Sequence, residues 1–215
     1  MHLSAWFLFV GVSLFMAFTP GPAVLLAISN SLALGPRRAM LSSLGNAAGI
    51  FMVSGATMAG LGVLLMGSAT AFMALKLAGA GYLVYLGIKQ WRRASSPFVA
   101  AAATQASRDA AAHPRARLLG QGLMVALTNP KSVLFFSALF PQFIRPDTPV
   151  IEQFMVLTTT FAACTVFSHA VYVLLARSLR RHFENPTHAR LINRVGGGLF
   201  VLLGLGLLQL RAKAA

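Results

Sequence analysis

Long apolar stretches dominate this chain, and two of them are interrupted by proline. One break falls at Thr19-Pro20-Gly21-Pro22, the other at Thr128-Asn129-Pro130-Lys131. Proline within a helix removes a backbone donor and clashes with the preceding turn. Lipid has no water to satisfy the groups so freed, and each interruption must therefore face protein or a watery cavity. Broken helices at corresponding places in two halves of a chain are the usual setting of a substrate or ion site in a transport protein.

Composition agrees with a bilayer setting. The chain has 215 residues, 57% of them hydrophobic and 10% charged, with mean hydropathy +0.72. A soluble core of this size cannot hide so much apolar surface. Windows long enough to cross about 30 Å of hydrocarbon run over residues 3–34, 40–66, 72–91, 118–143, 151–176 and 195–210. The expected fold is an all-α polytopic membrane protein of six transmembrane helices, the first and fourth broken.

A formal charge of +14 would suggest a nucleic-acid partner in a soluble protein, but here the basic residues are lopsided. Arg37 and Arg38 follow the first span; Lys89, Arg92, Arg93, Arg108, Arg115 and Arg117 surround the connection from the third to the fourth; Arg177, Arg180, Arg181, Arg190 and Arg194 fill that from the fifth to the sixth. The alternate connections hold only Arg145, Arg211 and Lys213. Loops rich in Lys and Arg stay in the cytoplasm, which places both termini outside and the three basic connections inside. The charge is then a topology signal, and membrane lipid rather than nucleic acid is the expected surrounding. Residues 4–19 lack the basic flank and cleavage site of a secretory signal and read as a retained span. Cys164 is the single cysteine, so no internal disulfide or CxxC pair exists.

Residues 94–117, with Pro97 and Pro114, are rich in Ala and Ser and read as a cytoplasmic linker between a three-helix unit, 1–93, and a second, 118–215. Gly79, Gly81 and Gly87 of the third span match Gly196, Gly198 and Gly204 of the sixth in register. Glycine is common in membrane helices, so this match alone is ambiguous. With the paired breaks it points to a duplicated three-span unit, and an odd number of spans makes the copies inverted. Gly45, Gly49, Ala56 and Gly60 form a small-residue stripe on the second span, suited to close packing, and Asn46 beside it needs a polar partner.

Thr19, Pro20, Gly21 and Pro22 stop one helix and restart another, whose free amides and dipole attract a carboxylate. Lys131 lies too deep in the fourth span to snorkel, and a lysine at mid-bilayer costs roughly 2.5 to 3.5 kcal/mol. Lys131 with Asn129 and Pro130 is the expected partner of a zwitterion's carboxylate. Lys76, a turn inside the third span, ranks second because snorkelling explains it equally well. His169, the single intraspan histidine, either shuttles a proton or bonds a neighbouring helix. Asp109, Asp147, Glu152 and Glu184 all fall in loops or at span ends, so no carboxylate is at hand within the membrane to carry a proton. One cysteine, one histidine and no acid at depth also argue against an intramembrane enzyme. No cofactor is expected. A passive channel or a structural membrane protein remains the alternative.

The break residues, the Gly35-Pro36-Arg37-Arg38 turn, the run from Leu75 to Gly87, and Leu127-Thr128-Asn129-Pro130-Lys131-Ser132 through Leu139-Phe140-Pro141-Gln142-Phe143 together resemble the LysE/RhtB family of amino-acid exporters. The likeness covers nearly the whole chain and is greatest toward the branch that exports homoserine, homoserine lactone and threonine. The resemblance implies a bacterial inner-membrane efflux protein driven by the proton motive force, with a small amino acid as partner and a homodimer as an open option. It carries over Pro20, Gly21, Pro22, Asn129, Pro130 and Lys131 as motif residues. Many relatives keep an acid within a span, whereas Ile50 follows Gly49 here.

Overall fold

The computed structural model describes residues 3–67, 69–92, 114–145, 147–176 and 186–209. Among them the regular structure is entirely helical. The α-helices are α1 (Leu3–Phe18), α2 (Pro22–Leu34), α3 (Pro36–Gly67), α4 (Ala69–Trp91), α5 (Arg115–Thr128), α6 (Pro130–Leu134), α7 (Val150–Leu174) and α8 (Pro186–Gln209). A π-helical turn, Phe135–Leu139, and a 3-10 turn, Phe140–Phe143, prolong α6. Most of the expected linker lies outside the described residues, and α5 begins within its C-terminal end, at Arg115.

Both proline interruptions are real breaks. The axes of α1 and α2 meet at 54°, and so do those of α5 and the segment from Pro130 to Phe143. Among the described residues, Pro36–Gly60 and Val150–Leu174 are each long and apolar enough to cross a membrane, and counting each bent pair as one span makes four. The helices α4 and α8 add rods of 23 and 24 residues, each about 35 Å long at 1.5 Å per residue. Between α2 and α3 the chain turns at Gly35, whose φ of 82° favours glycine. Pro36 then opens α3 at a position where the missing N–H is harmless.

Close packing relies on glycine. A Cβ on Gly87 would lie 2.6 Å from the Gly197 carbonyl oxygen and 2.7 Å from Val201 Cγ2. On Gly204 it would lie 2.8 Å from the Ala80 carbonyl oxygen and 2.9 Å from Val84 Cγ2. The register that lays Gly87 on Gly204 also lays Val84 on Val201 and Ala80 on Gly197, so each contact is the image of the other. Likewise α3 and α5 approach through Gly45 against Leu119, Gly49 against Ala126, and Gly122 against Ser42. The stripe expected on α3 is therefore used over half its length: Ala56 is exposed and Gly60 has nothing within 4 Å of its Cβ position.

The main core is aromatic. Phe9 of α1, Phe135, Phe136 and Phe140 are fully buried around Phe161 of α7, with Phe135 and Phe161 stacked at 4.3 Å between ring centroids. This cluster locks the segment after the second break against α1 and α7 and sets one wall of the site.

Candidate functional site

Helix α1 ends because its last carbonyls have no amide to meet. Pro20 and Pro22 cannot donate to Met16 and Phe18, and the bend takes the chain off the axis before Ala17 and Thr19 are served. Side chains from elsewhere close all four. Lys131 Nζ donates to the Met16 and Thr19 carbonyl oxygens at 2.7 and 2.8 Å. Ser168 Oγ donates to Ala17 O at 2.9 Å, and Tyr172 Oη donates to Phe18 O at 2.6 Å. An ammonium at the negative end of a helix dipole is favourable, so the deep placement of Lys131 is explained by backbone oxygen rather than by an acid.

Beyond the break, α2 restarts on Gly21 with no side-chain cap. Leu25 N–H bonds to Gly21 O at 2.9 Å; the amides of Ala23 and Val24 precede the first intrahelical bond. Gly21 has extended geometry, φ −147°, open to any residue, and a Cβ there would lie 3.4 Å from Lys131 Nζ. At the second break Asn129 acts as an N-cap, its Oδ1 accepting from Lys131 N–H at 3.1 Å while its carbonyl accepts from Ser132 and Val133.

A small cavity, about 20 Å³, lies between the two breaks. Asn46, Asn129, Lys131, Ser132, Thr165 and His169 form its polar wall, and Met16, Ile50 and Phe161 are among its apolar lining. Ala23 and Val24, the free-amide residues of α2, also border it. Asn46 is 3% exposed and its Oδ1 has no hydrogen-bond partner. His169 Nδ1 lies 3.1 Å from Ser43 Oγ, the tautomer deciding which of them donates. Among the described residues that line the cavity there is no carboxylate.

Of the expected site residues, Asn46, Asn129, Lys131 and His169 come together here, with Thr19 joined through its carbonyl and Gly21 beside the ammonium. Pro20, Pro22 and Pro130 shape the breaks without lining the cavity, and Pro22 and Pro130 are exposed. Lys76 belongs to α4, none of whose described side chains lines the cavity; its own side chain lies outside the described residues. Thr165, Ser168 and Tyr172 were not singled out from sequence. Their signal was available, since with His169 they fall at the i, i+3, i+4, i+7 spacing of one helical face.

The family described as LysE type translocator matches residues 14–211. The homoserine/homoserine lactone efflux protein of Salmonella typhimurium is 34% identical over 204 residues, 95% of this chain and 96% of the relative. An uncharacterized membrane protein of Vibrio cholerae is 34% identical over the full length of both chains. The leucine efflux protein of Salmonella typhimurium is 29% identical, covering 95% of this chain and 92% of its own. No solved structure matches the chain. This is a helical membrane protein, and it belongs to the LysE family of translocators.

Proposed function

We propose that this protein is a secondary active exporter of small amino acids or their derivatives, of the threonine, homoserine and homoserine lactone type. It works by alternating access in a bacterial inner membrane. The observation that carries the reading is the small cavity between the two proline breaks, where polar side chains from both halves meet the start of a restarted helix. Relatives named for homoserine, homoserine lactone and leucine efflux support the substrate class. The basic connections favour periplasmic termini.

Six spans in two inverted three-helix units, 1–93 and 118–215 joined by the linker 94–117, fit the packing. The first span pairs with the fifth, the fourth with the second, and the third with the sixth. Exchanging the halves turns these three pairings into one another, as it does the contacts of Gly87 and Gly204, although the contact of the first span with the second has no equal between the fourth and the fifth. Equal bends of 54° at the two breaks support the same conclusion.

The substrate carboxylate meets the amides of Ala23 and Val24 at the start of α2, with Thr19, Pro20, Gly21, Pro22, Asn46, Asn129, Pro130 and Lys131 forming and shaping the site. A cavity of about 20 Å³ holds about one water. The described conformation is therefore contracted, and an amino acid enters only when the two units part. Export is driven by the proton motive force, with His169 as the titrating group in a wall whose described residues include no acid.

Counterflow in proteoliposomes tests the proposal. Unlabelled homoserine or threonine loaded inside should accelerate uptake of the labelled compound, and Lys131→Ala should abolish it while the protein still inserts. Flux without trans-stimulation would identify a channel instead.

A further inference from the structure

The carbonyls at the end of α1 are not all held alike. Those of Ala17 and Phe18 are held by Ser168 and Tyr172, short or rigid neutral groups on α7. Those of Met16 and Thr19 are held by an ammonium at the end of a flexible four-carbon stem. Asn46 Oδ1, buried and without a donor, belongs to the wall of the same cavity. An ammonium is a donor-only group with three protons, and two carbonyls with one amide oxygen offer it three acceptors.

We propose that the carbonyl oxygens of Met16 and Thr19, together with Asn46 Oδ1, form a subsite for the α-ammonium group of the transported molecule, and that Lys131 stands in at the two carbonyls, leaving Asn46 Oδ1 unpaired, when the carrier is empty. This rests on the export reading and extends it. Arrival of a substrate ammonium displaces Lys131. The released side chain then pairs with the substrate carboxylate beside the free amides of α2, so that the zwitterion straddles the break. When the substrate leaves, Lys131 returns to the carbonyls and no freed backbone oxygen stays bare in the membrane. Homoserine and its lactone have an ammonium in common, and only homoserine has a carboxylate. A site anchored on the ammonium therefore takes both.

The first measurement uses purified Lys131→Ala in detergent, unfolded thermally in methylammonium chloride, sodium chloride or tetramethylammonium chloride at equal ionic strength. Methylammonium should raise the variant's midpoint by several degrees in a saturable manner. Sodium and tetramethylammonium, which have no N–H, should not, and the wild type should not respond. Absence of the rise, or an equal rise with sodium, overturns the subsite.

The second measurement uses the wild type, so the subsite can still be refuted should the variant fail to fold. Threoninol, with an ammonium and no carboxylate, should bind at least tenfold more tightly than 2,3-dihydroxybutanoate, with a carboxylate and no ammonium. The reverse order, or binding of neither, refutes the subsite. Counterflow of amino acids with the hydroxy acid preferred would leave the export proposal standing and remove this one. Methylammonium rescue without any amino-acid counterflow would do the opposite.

Discussion

Replacing Gly87 by alanine places a methyl group 2.6 Å from the Gly197 carbonyl oxygen and 2.9 Å from Val201 N, where ordinary contact begins at 3.4 Å. Helices α4 and α8 must then part locally by about 0.8 Å, enough to forfeit a quarter to a half of the dispersion well for the atoms around the contact. Overpacking of this kind costs about 1 to 3 kcal/mol. Alanine also favours the helix by about 0.5 to 1 kcal/mol over glycine, which would mask part of the loss. Gly81 corrects for this, being on the same helix with nothing within 4 Å of its Cβ position. The difference between Gly87→Ala and Gly81→Ala isolates the clash and should amount to about 1 to 3 kcal/mol, read from unfolding in detergent followed by circular dichroism. On α8 the matched pair is Gly204→Ala and Gly206→Ala. Its clash is slightly softer, with the Ala80 oxygen at 2.8 Å, and its cost should fall in the same range or just below. Equal stability of Gly87→Ala and Gly81→Ala would refute the close approach. A cost at Gly87 with none at Gly204 would refute the exchange symmetry of the two helices.

Tyr172→Phe keeps the ring contact with Phe18, 5.9 Å between centroids, but leaves the Phe18 carbonyl without its donor, and should destabilise by about 1 to 3 kcal/mol. An unchanged midpoint in the same unfolding assay would mean that the hydroxyl does not serve that carbonyl. Asn129→Ala deprives Lys131 N–H of its cap and should cost about 1 kcal/mol, with Asn129→Ser recovering most of it; equal losses in the two variants would contradict capping. His169→Gln should retain counterflow while export driven by a pH gradient drops by tenfold or more, and loss of both together would assign His169 to packing through Ser43.

Much of this was legible because lipid penalises exceptions. Pro20, Pro22, Pro130 and Lys131 are costly in a membrane, and each marks a place where the structure compensates. The spacing of Gly79, Gly81 and Gly87 against Gly196, Gly198 and Gly204 pointed to a duplicated unit, but that the two matching helices lie against each other is not written in it. What Lys131 touches was harder to read, because an ammonium serves a carboxylate and a carbonyl equally, and backbone oxygens carry no letter in the sequence. The helix-end donors Ser168 and Tyr172 were overlooked because hydroxyls in apolar helices often bond their own preceding turn, as Thr165 does to Phe161 O at 2.9 Å. The small-residue stripe of α3 was read too long, since periodicity marks a face but not how far a neighbour extends along it.

From Pro130 to Phe143 the backbone passes through α, π and 3-10 spacing in succession. Their bonds reach four, five and three residues, so one residue of slack can migrate along the rod as rungs are exchanged, without stranding an amide in oil. Each such slip would swing a phenyl group by about 100° around the axis and unstack Phe135 from Phe161. The stacked rings therefore hold the surplus residue where it is, and any change of register beside the lysine has to break them first.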